Sequence, residues 1–199
     1  MNYLAHLIIA EITGTSRVGS FLGDFVKGPM HQIPINAAYL QGVFLHRKVD
    51  VFTDAHPVVA RSRARISPYR RRFAGIIIDV AYDFYLANQW QDYSNMPLSK
   101  FVAQFYAELA HSKQELPDNA QAIVDFMISG NWLENYQYVE GVNFALNGIS
   151  RRYRRRYSRE NPLETSVDEI LANFDSLSLD FAEFFPELID HAISLVGKD

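Results

Sequence analysis

Residues 75–90 read GIIIDVAYDFYLANQW, sixteen positions of which only Asp79, Asp83, Asn88 and Gln89 are strongly polar. The Ile76-Ile77-Ile78 run alone would suit a buried strand. The apolar character, however, continues from Tyr69 to Trp90 without a turn signal, a length that belongs to a helix. So apolar a helix must lie at the centre of its fold. Asp79 and Asp83 stand one helical turn apart on it, and a carboxylate buried there needs a cation, a metal or a proton.

Reading outward, the flanking segments are helical as well. Residues 1–12 form a short apolar helix interrupted by His6, and GTSRVGS is a loop. A second short helix is expected from Phe21 to Val26, ending at Lys27-Gly28-Pro29. From 34 to 54, apolar residues recur at helical spacing, until His56-Pro57 closes the segment. Further helices are expected at 57–66, 98–112, 117–129, 131–148 and 165–196, the last broken near Phe185-Pro186. The chain therefore reads as an all-α, single-domain bundle of about seven or eight helices spanning 1–199.

Composition narrows the chemistry. Nearly half of the 199 residues are apolar, enough for one large core. There is no cysteine, so thiolate metal sites and cysteine nucleophiles are excluded, and any metal must be held by His, Asp, Glu or backbone oxygen. The N-terminus lacks the features of a signal peptide and no stretch is long enough to span a membrane, so the expected address is the cytoplasm. Net charge is −4, yet twelve of the nineteen basic residues fall in two short segments, 61–72 and 151–159. Basic patches on an acidic chain suggest a specific acidic partner rather than nucleic acid, for which no motif is present. No feature fixes the oligomeric state.

The polar residues on apolar helices are the candidate site. His46, Asp50 and Asp54 follow one another at i, i+4 within LHRKVDVFTD, forming one stripe. With Asp79, Asp83, His6 and Asp24 of LGDFVKG, they make two histidines and up to five carboxylates around one core. Imidazole with carboxylate suits a divalent manganese, magnesium or iron ion, which acidifies bound water and neutralises a phosphate oxygen. Competing readings are structural. His46 can simply pair with Asp50, Asp79 and Asp83 with Arg70–Arg72, and Asp54 can cap the next helix. The arginines of 151–159 can equally be a solvated face.

The motifs MNYLAH, GDFVKG, LHRKVDVFTDAHP and RRFAGIIIDVAYDFYLANQW, with the later NGISRRYRRR and FAEFFPEL, occur in order over nearly the whole chain. In that combination the sequence resembles the acyl carrier protein phosphodiesterase family, which is linked to the helical HD-type metal phosphohydrolases. The resemblance implies hydrolysis of the phosphodiester between 4′-phosphopantetheine and a serine of holo acyl carrier protein, with Mn2+ or Mg2+. It puts forward Asp24, His46, Asp79 and Asp83 as leading ligands, with His6 and Asp50 behind them, and Arg47 and, more weakly, Lys27 as phosphate contacts. Arg61, Arg63 and Arg65, or Arg151 and Arg152, would then dock the acidic carrier protein.

One departure stands out: the family pattern reads Asp-His-Phe-Leu where this chain has Asp83-Phe84, and Gln89 replaces a histidine before Trp90. A ligand role for the lost histidine would weaken catalysis, whereas a supporting role would leave it intact. Two other functions remain open at this level: an HD-like phosphohydrolase of a nucleotide or small phosphate ester, and a non-catalytic helical module that binds an acidic protein.

Overall fold

The computed structural model describes residues 1–196, and among them every regular element is helical. In chain order these are α1 (Tyr3–Ile12), α2 (Arg17–Leu22), α3 (Ala37–Ala55), α4 (Pro57–Arg65), α5 (Ala74–Asn88) and α6 (Leu98–Ser112). There follow α7 (Asp118–Ser129), α8 (Trp132–Asn135), α9 (Val139–Tyr157), α10 (Val167–Ala172) and α11 (Phe174–Val196). Helices α1 and α5 are the most enclosed, and α3, α4, α9 and α11 pack around them. None of the helices described is long and apolar enough to cross a membrane.

Among the described residues there are eleven α-helices where about seven or eight are expected; 131–148 and 165–196 each divide into two, and the helix expected over 69–90 is shortened. Residues 69–90 are not one helix: Pro68–Phe73 is a 3-10 segment, and α5 begins only at Ala74. Arg70 holds that segment down, reaching Glu169 at 2.9 Å and the carbonyl of Pro162 at 3.2 Å. Residues 131–148 divide into α8 and α9, which meet so closely that a Cβ on Gly141 would lie 1.9 Å from the Asn135 carbonyl oxygen.

The expected break at Phe185-Pro186 is also corrected. It falls at Asn173, and Pro186 sits inside an unbroken α11. An interior proline costs about 3 kcal/mol. Leu177, Phe181, Phe184, Phe185 and Leu188 are all fully buried on that helix, and at roughly 1.5–3 kcal/mol each their burial outweighs it.

Two glycines bring α2 and α3 into backbone contact. A Cβ on Gly19 would lie 2.3 Å from the Tyr39 carbonyl oxygen, and one on Gly42 would lie 2.4 Å from that of Ser16. Ser16 caps α2 by accepting from the Gly19 amide at 2.9 Å, so the helix starts at Arg17 rather than near Phe21. This close crossing delivers the end of α2 directly onto α3.

Candidate metal centre

The centre forms where α1, α3 and the end of α2 converge. His6 comes from α1, and His46 and Asp50 from adjacent turns of α3. Both histidines are almost wholly buried. Their rings stack with centroids 3.8 Å apart and planes 16° from parallel. Asp50 lies across their edges, with Oδ1 3.1 Å from His6 Nε2 and Oδ2 3.2 Å from His46 Nε2. One donor atom from each residue falls within 4.8 Å of the others.

Asp24 joins from the other side, its Oδ1 3.7 Å from His46 Nε2 and its side chain half exposed. Gly23 makes this approach possible: a Cβ there would be 2.2 Å from the His46 ring. Asp79, on α5, and Asp50 both face the α-amino group of Met1, at 3.3 and 3.6 Å.

The electrostatics show competition for one positive charge. Burial and, after it, neighbouring His46 lower the His6 pKa to about 4. Burial opposes the charged form of His46 too, but Asp24 and Asp50 outweigh it and raise its pKa to about 9. Asp50 and Asp24 are likewise desolvated, yet the imidazoles hold both carboxyls below the usual range. Among the described residues, Nδ1 of His6 and Nδ1 of His46 are buried without a hydrogen-bond partner, while His6 Nε2 and Asp79 Oδ1 have only the ion-pair contacts to Asp50 and Met1. Buried polar atoms are normally paired, so unpaired ones call for an explanation such as an ion. Two imidazoles and several carboxylates without thiolate form a donor set suited to a divalent cation, and the residues present fit one.

The other expected site residues have different surroundings. Asp83, a leading ligand in the sequence, is fully buried and accepts hydrogen bonds from the amides of Leu4 at 2.8 Å and Ala5 at 3.1 Å. Both oxygens thus cap the start of α1, where an anion is favoured, and burial pushes its pKa up to about 7. It holds the helix that carries His6. Arg47 donates from Nη1 to the Gly28 carbonyl at 2.7 Å and from Nη2 to that of Val26 at 3.0 Å. It therefore fastens the loop after Asp24, and its expected phosphate contact would have to displace these bonds. Lys27 is exposed on that same loop.

The arginines of 61–65 are engaged internally. Arg61 and Arg65 reach buried Asp180 at 2.8 and 2.9 Å, and Arg63 reaches Asp54 at 2.6 Å. The suggested pairing of Asp79 and Asp83 with Arg70–Arg72 does not form, because Arg70 belongs to Glu169. Phe84 packs among Tyr85 and Phe174, and the Gln89 amide donates to Ser178 Oγ at 3.0 Å. Neither departure lies in the His6–His46–Asp50 cluster.

The geometry groups His6 and Asp50 with His46, and the glycine directly before Asp24 in LGDFVKG is the sequence signal for the close approach of that carboxylate.

A helical protein with buried imidazoles set against carboxylates, and no thiolate, defines a class: helical proteins with a His/Asp centre. The chain matches the sequence model of acyl carrier protein phosphodiesterase over residues 1–188. It is 33% identical to the acyl carrier protein phosphodiesterase of Salmonella dublin over 194 residues, 96% of this chain and 97% of that one. It is 32% identical, with the same coverage, to those of Enterobacter sp. (strain 638) and Salmonella agona (strain SL483). No solved structure gives a significant match. The chain belongs to the acyl carrier protein phosphodiesterase family.

Proposed function

We propose that this chain hydrolyses the phosphodiester joining 4′-phosphopantetheine to the serine of holo acyl carrier protein, releasing the apo protein. The observation that carries the chemistry is the buried His6–His46–Asp50 cluster, whose donor atoms lie within 4.8 Å of one another, in a chain of this family. His6, His46 and Asp50 would hold a divalent ion, Mn2+ or Mg2+, with Asp24 and Asp79 as further carboxylates. Such an ion supplies Lewis acidity and an acidified water at phosphorus.

The protein's own groups do the rest. Asp50 orients both imidazoles at once. Asp24, half exposed beside His46, would orient the attacking water. Arg47 keeps the loop carrying Asp24 and Lys27 in position, and Lys27 is free to meet a phosphate oxygen. Asp83 fixes the start of α1, and with it His6. The acidic carrier protein would approach the basic end of α9, where Arg151, Arg152, Arg155 and Arg156 have no carboxylate within ion-pair distance among the described residues. That freedom favours this surface over Arg61, Arg63 and Arg65.

Intact-mass spectrometry of holo acyl carrier protein incubated with the protein and manganese tests the reading. The expected result is loss of the phosphopantetheine mass, blocked by a chelator. An unchanged mass across several divalent metals, with the protein folded, would reject it.

A further inference from the structure

A cavity of about 380 Å3 opens between the start of α1 and the α8–α9 pair. Its volume lies within the ~300–1,000 Å3 of small-molecule sites. Trp132 and Phe144 form one wall, edge to face with ring centroids 6.2 Å apart. Phe144 is half exposed at 51%, an aromatic ring left at the cavity rather than in the core. Two amide side chains, Asn2 and Asn135, line the same space. Each donates its NH2 to the protein, to Tyr136 Oη at 2.6 Å and to the Gly130 carbonyl at 2.9 Å. Among the described residues, their own carbonyl oxygens receive no donor, so both can accept from a guest.

The cavity and the metal centre share the first turns of α1. Asn2 and Tyr3 line the cavity, and His6 follows within about one turn, roughly 5–6 Å along the helix surface. Burial raises the Tyr3 phenol pKa, Asp24 raises it further and Arg152 opposes this, so the phenol lies within electrostatic reach of both. Arg152 stands at the cavity with no carboxylate within ion-pair distance among the described residues. A guest lying here would meet a guanidinium, an aromatic wall and two amide acceptors, with the first turn of the helix that carries His6 beside it.

We propose that this cavity receives the pantetheine arm of the carrier protein while its phosphodiester lies at the His6–His46–Asp50 cluster. The inference rests on the function proposed above and assigns the part of the substrate that binds beyond the phosphate. The chemistry matches: the arm carries a gem-dimethyl group for the aromatic wall and two amide N–H groups for Asn2 and Asn135. Arm recognition would separate this substrate from other phosphodiesters.

Gly148 provides the test. It lies in α9 at the cavity wall, and a Cβ there would have nothing nearer than Arg152 Nη1 at 4.0 Å. Gly148→Leu thus fills the cavity while removing a glycine from a helix interior, a change that favours the helix. Pantetheine is titrated into metal-free protein by calorimetry, alongside thermal melting. The wild type is expected to bind, and Gly148→Leu to bind at least tenfold more weakly while melting no earlier. Should that variant melt early, Phe144→Ser at the half-exposed position is expected to weaken binding in the same direction.

No binding by the wild type, or equal binding by folded variants, would overturn the proposal. The mass assay on holo carrier protein separates the two claims. Equal release by wild type and Gly148→Leu would reject the cavity and leave the hydrolase reading standing. No release by the wild type, with pantetheine binding still lost on filling the cavity, would reject the hydrolase and keep the cavity.

Discussion

Two groups of charged side chains lie in this fold, and they are built on opposite terms. Around Asp180, a nearly buried carboxylate meets Arg61, Arg65 and the Ser62 hydroxyl, at 2.8–2.9 Å in each case. Ser62 in turn pairs with the Tyr82 hydroxyl at 2.7 Å. Around His46, two imidazoles are pressed face to face, and the Nδ1 atoms of both lack a hydrogen-bond partner among the described residues. The first group is satisfied by its own chain and holds α4 to α11. The second is incomplete, and incompleteness in a buried polar group is what marks a site for a ligand.

The sharpest way to break this comparison is to remove the two groups separately. Asp50→Ala, His46→Ala and Asp24→Ala should each lower turnover of holo carrier protein while helical circular dichroism is retained. If metal and carboxylate together supply several kcal/mol at the transition state, the loss is roughly a hundred- to thousand-fold or more. Full activity in any one variant would remove that residue from the site. Asp180→Ala should do the reverse, lowering thermal stability by about 1–3 kcal/mol with turnover unchanged below the melting transition. Loss of activity in a folded Asp180→Ala protein would erase the distinction.

The arginine surfaces extend the comparison to the exterior. Charge reversal at Arg151 and Arg155, which lack internal partners, should raise the Michaelis constant for carrier protein several-fold at low salt, with less effect as salt screens the attraction. Reversal at Arg61 should act through stability, because that guanidinium belongs to Asp180 and Glu183. Equal effects on the Michaelis constant would mean that both surfaces dock the partner.

The smallest effect is in pH. Asp180 is desolvated, but Arg65, Ser62 and Arg61 hold its pKa below the ordinary carboxylate value. A carboxyl depressed in the folded state stabilises fully above its unfolded pKa, near 4, and that contribution fades as pH falls through the folded value. Asp180→Asn should therefore flatten the acid side of the stability curve. An unaltered slope below about pH 4 would show that this carboxylate is not selectively stabilised by folding.

Much of this was legible in the sequence, and what was not has physical causes. The helical spacing of 34–54 and the i, i+4 placement of His46 and Asp50 are local properties, and α3 and one edge of the centre follow from them. Whether Asp50 or Asp83 serves the centre depends on which face of each helix meets which neighbour. Asp83 lies 79 residues from the Leu4 amide it accepts from, and no local pattern encodes that meeting. Pro186 misled for a related reason, since its cost is local while the burial that outweighs it is tertiary. The cavity joins residues 2 and 3 to a helix some 140 residues later, and only packing brings them together.

The most direct measurement is anomalous diffraction from crystals grown with manganese. The expected result is a single strong peak bonded to His6, His46 and Asp50, lost in Asp50→Ala crystals. No peak at that cluster under saturating manganese, in protein that releases the phosphopantetheine arm, would contradict it.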